Sequence, residues 1–114
     1  MKLTQVVSPK SLSRVREPER AVIKVAAVQI SHNVDSAAHI ATVVEAIEIA
    51  VEAGAQIIFL PELTLSRYPA DTLPTGTPSQ NAEQLESGPT FSLISEQAKK
   101  YGVVIHASLY QEAG

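Results

Sequence analysis

The hydrophobic positions of this chain follow two rhythms. Residues 21–30 (Ala-Val-Ile-Lys-Val-Ala-Ala-Val-Gln-Ile) run with almost no polar alternation and are partly β-branched. That pattern suits a strand covered on both faces, as in a parallel sheet. From residue 36 to 53, Ile40, Val43, Val44, Ile47 and Val51 recur at helical spacing, and Glu45, Glu48 and Glu52 fall largely outside that stripe. Asp35 stands where a helix takes its N-cap, and Gly54 where the left-handed residue ends one. Residues 56–60 form a second apolar strand, halted by Pro61, which has no N–H to give a ladder.

Strand, helix and strand with short connections predict a βαβ unit with a right-handed crossover. Residues 61–89 then form a long segment rich in Pro, Thr, Ser and Gly, with a short helical turn expected over residues 81–86. Inside a compact domain, such a loop is uncommon and usually functional. Residues 90–101 place Phe91, Ile94, Ala98 and Tyr101 on one helical face, Gly102 ends that helix, and residues 103–110 read as a third strand. The order is βαβ, loop, αβ, an α/β class.

Charge separates the first twenty residues from the rest. Lys2, Lys10, Arg14, Arg16 and Arg20 stand there against Glu17 and Glu19, whereas the remainder holds four basic and ten acidic residues. With Pro9, Pro18, three serines and no apolar periodicity, residues 1–20 are expected to be a disordered or loosely docked tail. An organelle transit peptide is the competing reading, weakened by the two glutamates and the lack of an amphipathic pattern. Residues 21–114 form the ordered portion. A net charge of −3 argues against nucleic acid as a partner. No apolar run approaches the roughly 20 residues of a membrane span, and no secretory signal is evident, so a cytoplasmic protein is expected. The 114 residues include no cysteine, which removes disulfides, zinc–thiolate sites and a cysteine nucleophile from this chain.

Glu62 follows Pro61 at the carboxyl end of the second strand, the rim where open α/β sheets bind ligands. A carboxylate there is either a solvated or capping group, or a general base tuned by dry surroundings. Its neighbours favour the second reading. Val25-Ala26-Ala27-Val28-Gln29, the helix ending Ala53-Gly54-Ala55, and Ile57-Ile58-Phe59-Leu60-Pro61-Glu62-Leu63 occur in order, followed by Leu65, Ser66, Tyr68 and Pro69. With Gly88-Pro89 and Lys99-Lys100-Tyr101-Gly102-Val103, the set resembles the start of the nitrilase, or carbon–nitrogen hydrolase, superfamily across residues 22–114.

The resemblance implies an α-β-β-α sandwich, present here in part, that dimerises across stacked sheets and helices. It also implies hydrolysis of a non-peptide C–N bond in an amide, an N-carbamoyl compound or a nitrile, without an organic cofactor. In that family a cysteine attacks, a glutamate takes the thiol proton, and a lysine stabilises the tetrahedral intermediate. Glu62 matches the general base. Tyr68 matches a position near the pocket, with packing against the loop as the alternative. Arg67 replaces a glycine frequent in the family; it either holds a substrate carboxylate or serves the surface or a neighbouring subunit.

The family's lysine and cysteine lie beyond the third helix–strand pair, where this chain stops. The 114 residues are therefore expected to be the first third to half of such a domain, inactive alone. Lys99 and Lys100 come too early and read as helix-end charges complementing the dipole. His39 stands where the family often has asparagine and is expected to pack or hydrogen-bond; His106 is expected to be a core histidine. Neither has a partner at metal-ligand spacing, so no metal is expected. Two other classes stay open: a small α/β binding module, although residues 31–35 hold no glycine for a phosphate loop, and a truncated, non-catalytic module acting through subunit association.

Overall fold

A computed structural model describes residues 1–10, 12, 16–17, 19–71, 73, 76 and 78–113. Five main elements follow in order: β1 (Val25–Ala27), α1 (Ser36–Glu52), β2 (Ile57–Phe59), α2 (Pro89–Tyr101) and β3 (Val104–His106). The strands form one parallel sheet in the order β1-β2-β3. Short 3-10 turns occupy Pro69–Asp71 and Pro78–Asn81. The α/β class and the βαβ-loop-αβ order are those read from the sequence.

Local chemistry explains where α1 begins and ends. The Asp35 carboxylate accepts from the Ala38 N–H at 2.9 Å, satisfying a first-turn donor. At the other end Gly54 has φ 86°, Gly54 N–H donates to Val51 O, and Ala55 N–H donates to Ala50 O. These two bonds are the Schellman pair, which requires the left-handed backbone that glycine adopts without strain. The Lys24 ammonium adds a bond to Ala53 O at 2.7 Å, a cation at the negative helix end.

Gly88 starts α2 for a different reason. A Cβ there would meet Gln84 O at 2.7 Å and the Glu83 Cβ at 2.9 Å. Glu83 needs that proximity because its carboxylate accepts from both the N–H and the hydroxyl of Thr90, at 3.0 and 2.9 Å, capping the helix from outside. Glu83 is itself held by a bridge to Gln111. The helical turn expected over residues 81–86 is therefore a 3-10 turn ending at Asn81, followed by an extended Glu83 whose backbone bonds Tyr110 and Glu112.

Both helices cover the same face. The lateral row Ala26–Ile58–Ile105 points into the core made by Val43, Ile47, Ala50 and Ile94. The flanking rows, Val25–Ile57–Val104 and Ala27–Phe59–His106, point the other way, and Val25, Phe59 and Val104 are exposed. The structure thus holds one helical layer and one sheet of the expected sandwich. His106 corrects an expectation: it is exposed rather than in the core, because Ile105 takes the helix-facing side and period-2 alternation turns its neighbour outward, beside the Phe59 ring.

The strands are shorter than the apolar runs that announce them. Ladder bonds extend one residue past β2, where Leu60 N–H donates to His106 O, and then Pro61 interrupts the strand. Residues 11, 13–15 and 18 of the expected tail, and residues 72, 74, 75 and 77 of the long loop, lie outside the described residues. The described residues before Val25 form no helix or strand, and the Met1 ammonium lies 3.9 Å from Glu45.

Candidate functional site at the end of the central strand

On one side of a parallel strand, N–H groups face the same neighbour at every second residue. Leu60 bonds His106 O, so residue 62 would bond Ser108 O in an uninterrupted ladder. Instead Thr64 N–H donates to Ser108 O at 3.1 Å. Two extra residues are therefore inserted after β2, and Glu62 lies within the insertion, exposed at the carboxyl rim of the sheet.

The return of the chain to the sheet is held from several directions. Leu63 has φ 49°, the one positive φ of a non-glycine residue among those described, and a left-handed leucine costs roughly 1–2 kcal/mol. Its N–H donates to Ser108 Oγ at 2.7 Å. Thr64, 2% exposed, uses every polar group it has. Besides its N–H bond, its hydroxyl donates to Pro61 O at 3.0 Å and accepts from Ser108 N–H at 3.3 Å, and its carbonyl accepts from the His39 Nε2–H at 2.8 Å. Ser66 N–H closes the turn on Leu63 O.

His39 is buried, and the Asn33 N–H points at its Nδ1 at 3.3 Å. An acceptor Nδ1 leaves a proton on Nε2, the donor that serves Thr64 O. The expectation that His39 packs and hydrogen-bonds holds.

Glu62, Arg67 and Tyr68 are all exposed, Tyr68 by 51%. Glu62 has no hydrogen-bond or ion-pair partner among the described residues, and the dry surroundings that a tuned base needs are not built by them. Lysines are no closer to supplying a site. Lys24 serves the end of α1, while Lys99 and Lys100 sit in the last turn of α2. Lys100 lies 4.7 Å from the Tyr101 ring and 3.7 Å from Glu48; Tyr101 first and Glu48 second hold its ammonium above the usual lysine range. An apolar hollow of about 300 Å³ lies between α2 and β3, lined by Phe91, Ile94, Ala98 and Ile105 among others, and includes none of the three candidates. Among the described residues no three of His, Cys, Asp and Glu gather as a metal ion requires, and no helix is long and apolar enough to cross a membrane.

Sequence reasoning singled out Glu62 and missed what holds its turn. Thr64 and Ser108 are 44 residues apart, and small hydroxyl residues carry no periodic signal. The left-handed backbone at Leu63 is equally silent, since glycine or asparagine would ordinarily mark it.

No curated protein matches the chain. A family model described as carbon-nitrogen hydrolase matches residues 24–114, from the first residue before β1 through all five elements, and the chain belongs to that family.

Proposed function

We propose that this chain contributes the general base, Glu62, to a hydrolase acting on a non-peptide C–N bond, and that the nucleophilic cysteine and the lysine come from sequence outside these 114 residues. The observation that supports this most is the position of Glu62: a carboxylate set out of the sheet, at its carboxyl rim, on a turn bonded to two other elements. The chemistry balances without an organic cofactor. Glu62 takes the thiol proton, and the thiolate adds to the carbonyl or nitrile carbon while the lysine ammonium faces the developing charge. For an amide, collapse expels the amine, which leaves with the proton from Glu62. Water, deprotonated by the same carboxylate, then cleaves the thioester and returns the acid and the free thiol.

Amides, N-carbamoyl compounds and nitriles are the substrate class, with Arg67 and Tyr68, exposed a few residues after Glu62, as the candidate substrate contacts. Homo-oligomers and a cytoplasmic location belong to the same reading. The test is Glu62→Gln in a version of the protein extended to include the cysteine and lysine. Loss of basicity with retained shape lowers kcat by roughly 10²–10⁴. Near-normal turnover in that variant removes the assignment. The 114-residue chain alone gives no turnover on a panel of amides and N-carbamoyl compounds. A second reading, association with other subunits without catalysis, draws on the bare sheet face bearing Val25, Phe59 and Val104.

A further inference from the structure

We propose that His39 is a positioning residue for Glu62, acting through the carbonyl of Thr64. This rests on the reading of Glu62 as the base, and it names the group that sets where that carboxylate stands.

The turn carrying Glu62 contains a leucine in a conformation leucine avoids. Such a residue persists only where its surroundings over-determine it. Its neighbour Thr64 is held on two sides. Toward β3, its N–H and hydroxyl and the Leu63 N–H all bond Ser108. Toward α1, the single bond is His39 Nε2–H to Thr64 O, at 2.8 Å and buried. The Ser108 bonds fix the turn along the sheet, and the His39 bond fixes it against the helical layer. A buried carbonyl deprived of its donor has no water to replace it, so loss of the imidazole favours a rotation of the 64–65 peptide toward solvent. That rotation loosens Thr64 against the helical layer, removes part of the restraint that keeps Leu63 left-handed, and lets Glu62 move with the turn. The Asn33 N–H bond to Nδ1 keeps the proton on Nε2 and so keeps this donor in place.

The absence of cysteine from these 114 residues permits a direct test, because Glu62→Cys in the 114-residue chain takes a single nitroxide label at the position in question. Substitutions at His39 separate the two ring nitrogens. Glutamine ends its amide nitrogen as many bonds from Cα as Nε2, and asparagine ends as many bonds away as Nδ1. His39→Gln therefore keeps the bond to Thr64 O, and His39→Asn keeps only the side facing Asn33.

The label gives a broad, ordered line in the unsubstituted background and with His39→Gln, and a sharp, mobile line with His39→Asn. Without the label, amide exchange at Leu63 and Thr64 rises about tenfold in His39→Asn relative to Ile57–Phe59. Val43→Ala, which weakens the core one helical turn along α1 from His39 but keeps the imidazole and its bonds, leaves the line broad. Equal lines for His39→Asn and His39→Gln, or a sharp line in Val43→Ala, overturn the proposal. Should His39→Asn not fold, His39→Met decides, since it fills the site without a donor to Thr64 O and sharpens the line if that bond positions the turn; an unchanged line overturns the proposal. These readouts require no turnover. Full activity of Glu62→Gln in the extended enzyme would remove the base and leave the clamp, whereas a label indifferent to His39 would remove the clamp and leave the base.

Discussion

Ile58 and Phe59 are adjacent in β2 and live in different environments. Ile58 is fully buried under α1 and α2, and Phe59 is 44% exposed on the opposite face beside His106. Both residues are large and apolar, so the strand looks two-sided in sequence while the chain covers one side. The helices account for this. Two right-handed crossovers that advance the sheet in one direction, β1 to β2 to β3, must both lie on the same face. The other face, with Val25, Ile57, Phe59 and Val104 along it, carries no helix among the described residues.

The largest expected effect is on the covered side. Ile58→Ala leaves a cavity at the centre of the core and lowers stability by about 2–5 kcal/mol, measured by urea denaturation. Phe59→Ala, one residue along, loses about 1 kcal/mol, because much of its ring is already in water. Equal losses at the two positions would mean that both faces are packed in the folded chain.

Most of the covered side was legible. Asp35, Gly54, Pro61 and Gly102 each act through local backbone chemistry, and each bounds an element where the sequence sets it. Strand length was not legible, since apolar residues continue through Val22, Ile23 and Leu109 while ladder bonding depends on what pairs alongside. The segment between the second strand and the second helix was read least well. Leu73 and Leu85, two apolar residues of that segment, are 88% and 50% exposed. The anchoring belongs to Glu83 and Thr64, polar residues whose partners are distant in the chain. At the candidate site, Glu62 was singled out because Pro61 marks the end of its strand. Its support was not, because a hydrogen bond between Thr64 and Ser108 leaves no pattern in either stretch.

Next in size is the polar end of the covered side. Thr64→Val keeps the side-chain volume, strips the hydroxyl, and leaves Pro61 O and Ser108 N–H without their partner. Stability falls by about 1–3 kcal/mol, with amide exchange rising first at Leu63 and Ser108. A smaller change comes from the helix that provides the cover. Asp35→Ala frees the Ala38 N–H and lowers stability by about 1 kcal/mol, whereas Asp35→Ser retains a capping oxygen and loses a few tenths. If alanine and serine behave alike, the cap is not what starts α1.

The smallest effect belongs to the open face, and it sharpens the comparison most. Val25 and Val104 flank Ile57 on that face, exposed by 54% and 61%. Val→Thr is nearly isosteric and keeps the branching that strands favour, so the main change at each position is one hydroxyl in place of a methyl. In a face turned to water the hydroxyl is solvated, and each substitution stays within about 0.5 kcal/mol in the urea midpoint. Association responds differently. A contiguous apolar face beside two strand edges draws copies of the chain together, and a pair of hydroxyls weakens that contact without touching the core. The double variant Val25→Thr/Val104→Thr therefore unfolds at nearly the original urea concentration and sediments at lower mass than the parent at equal protein concentration. A loss approaching that of Ile58→Ala would show that the open face is buried within the fold; unchanged sedimentation would show that association, where it occurs, uses another surface.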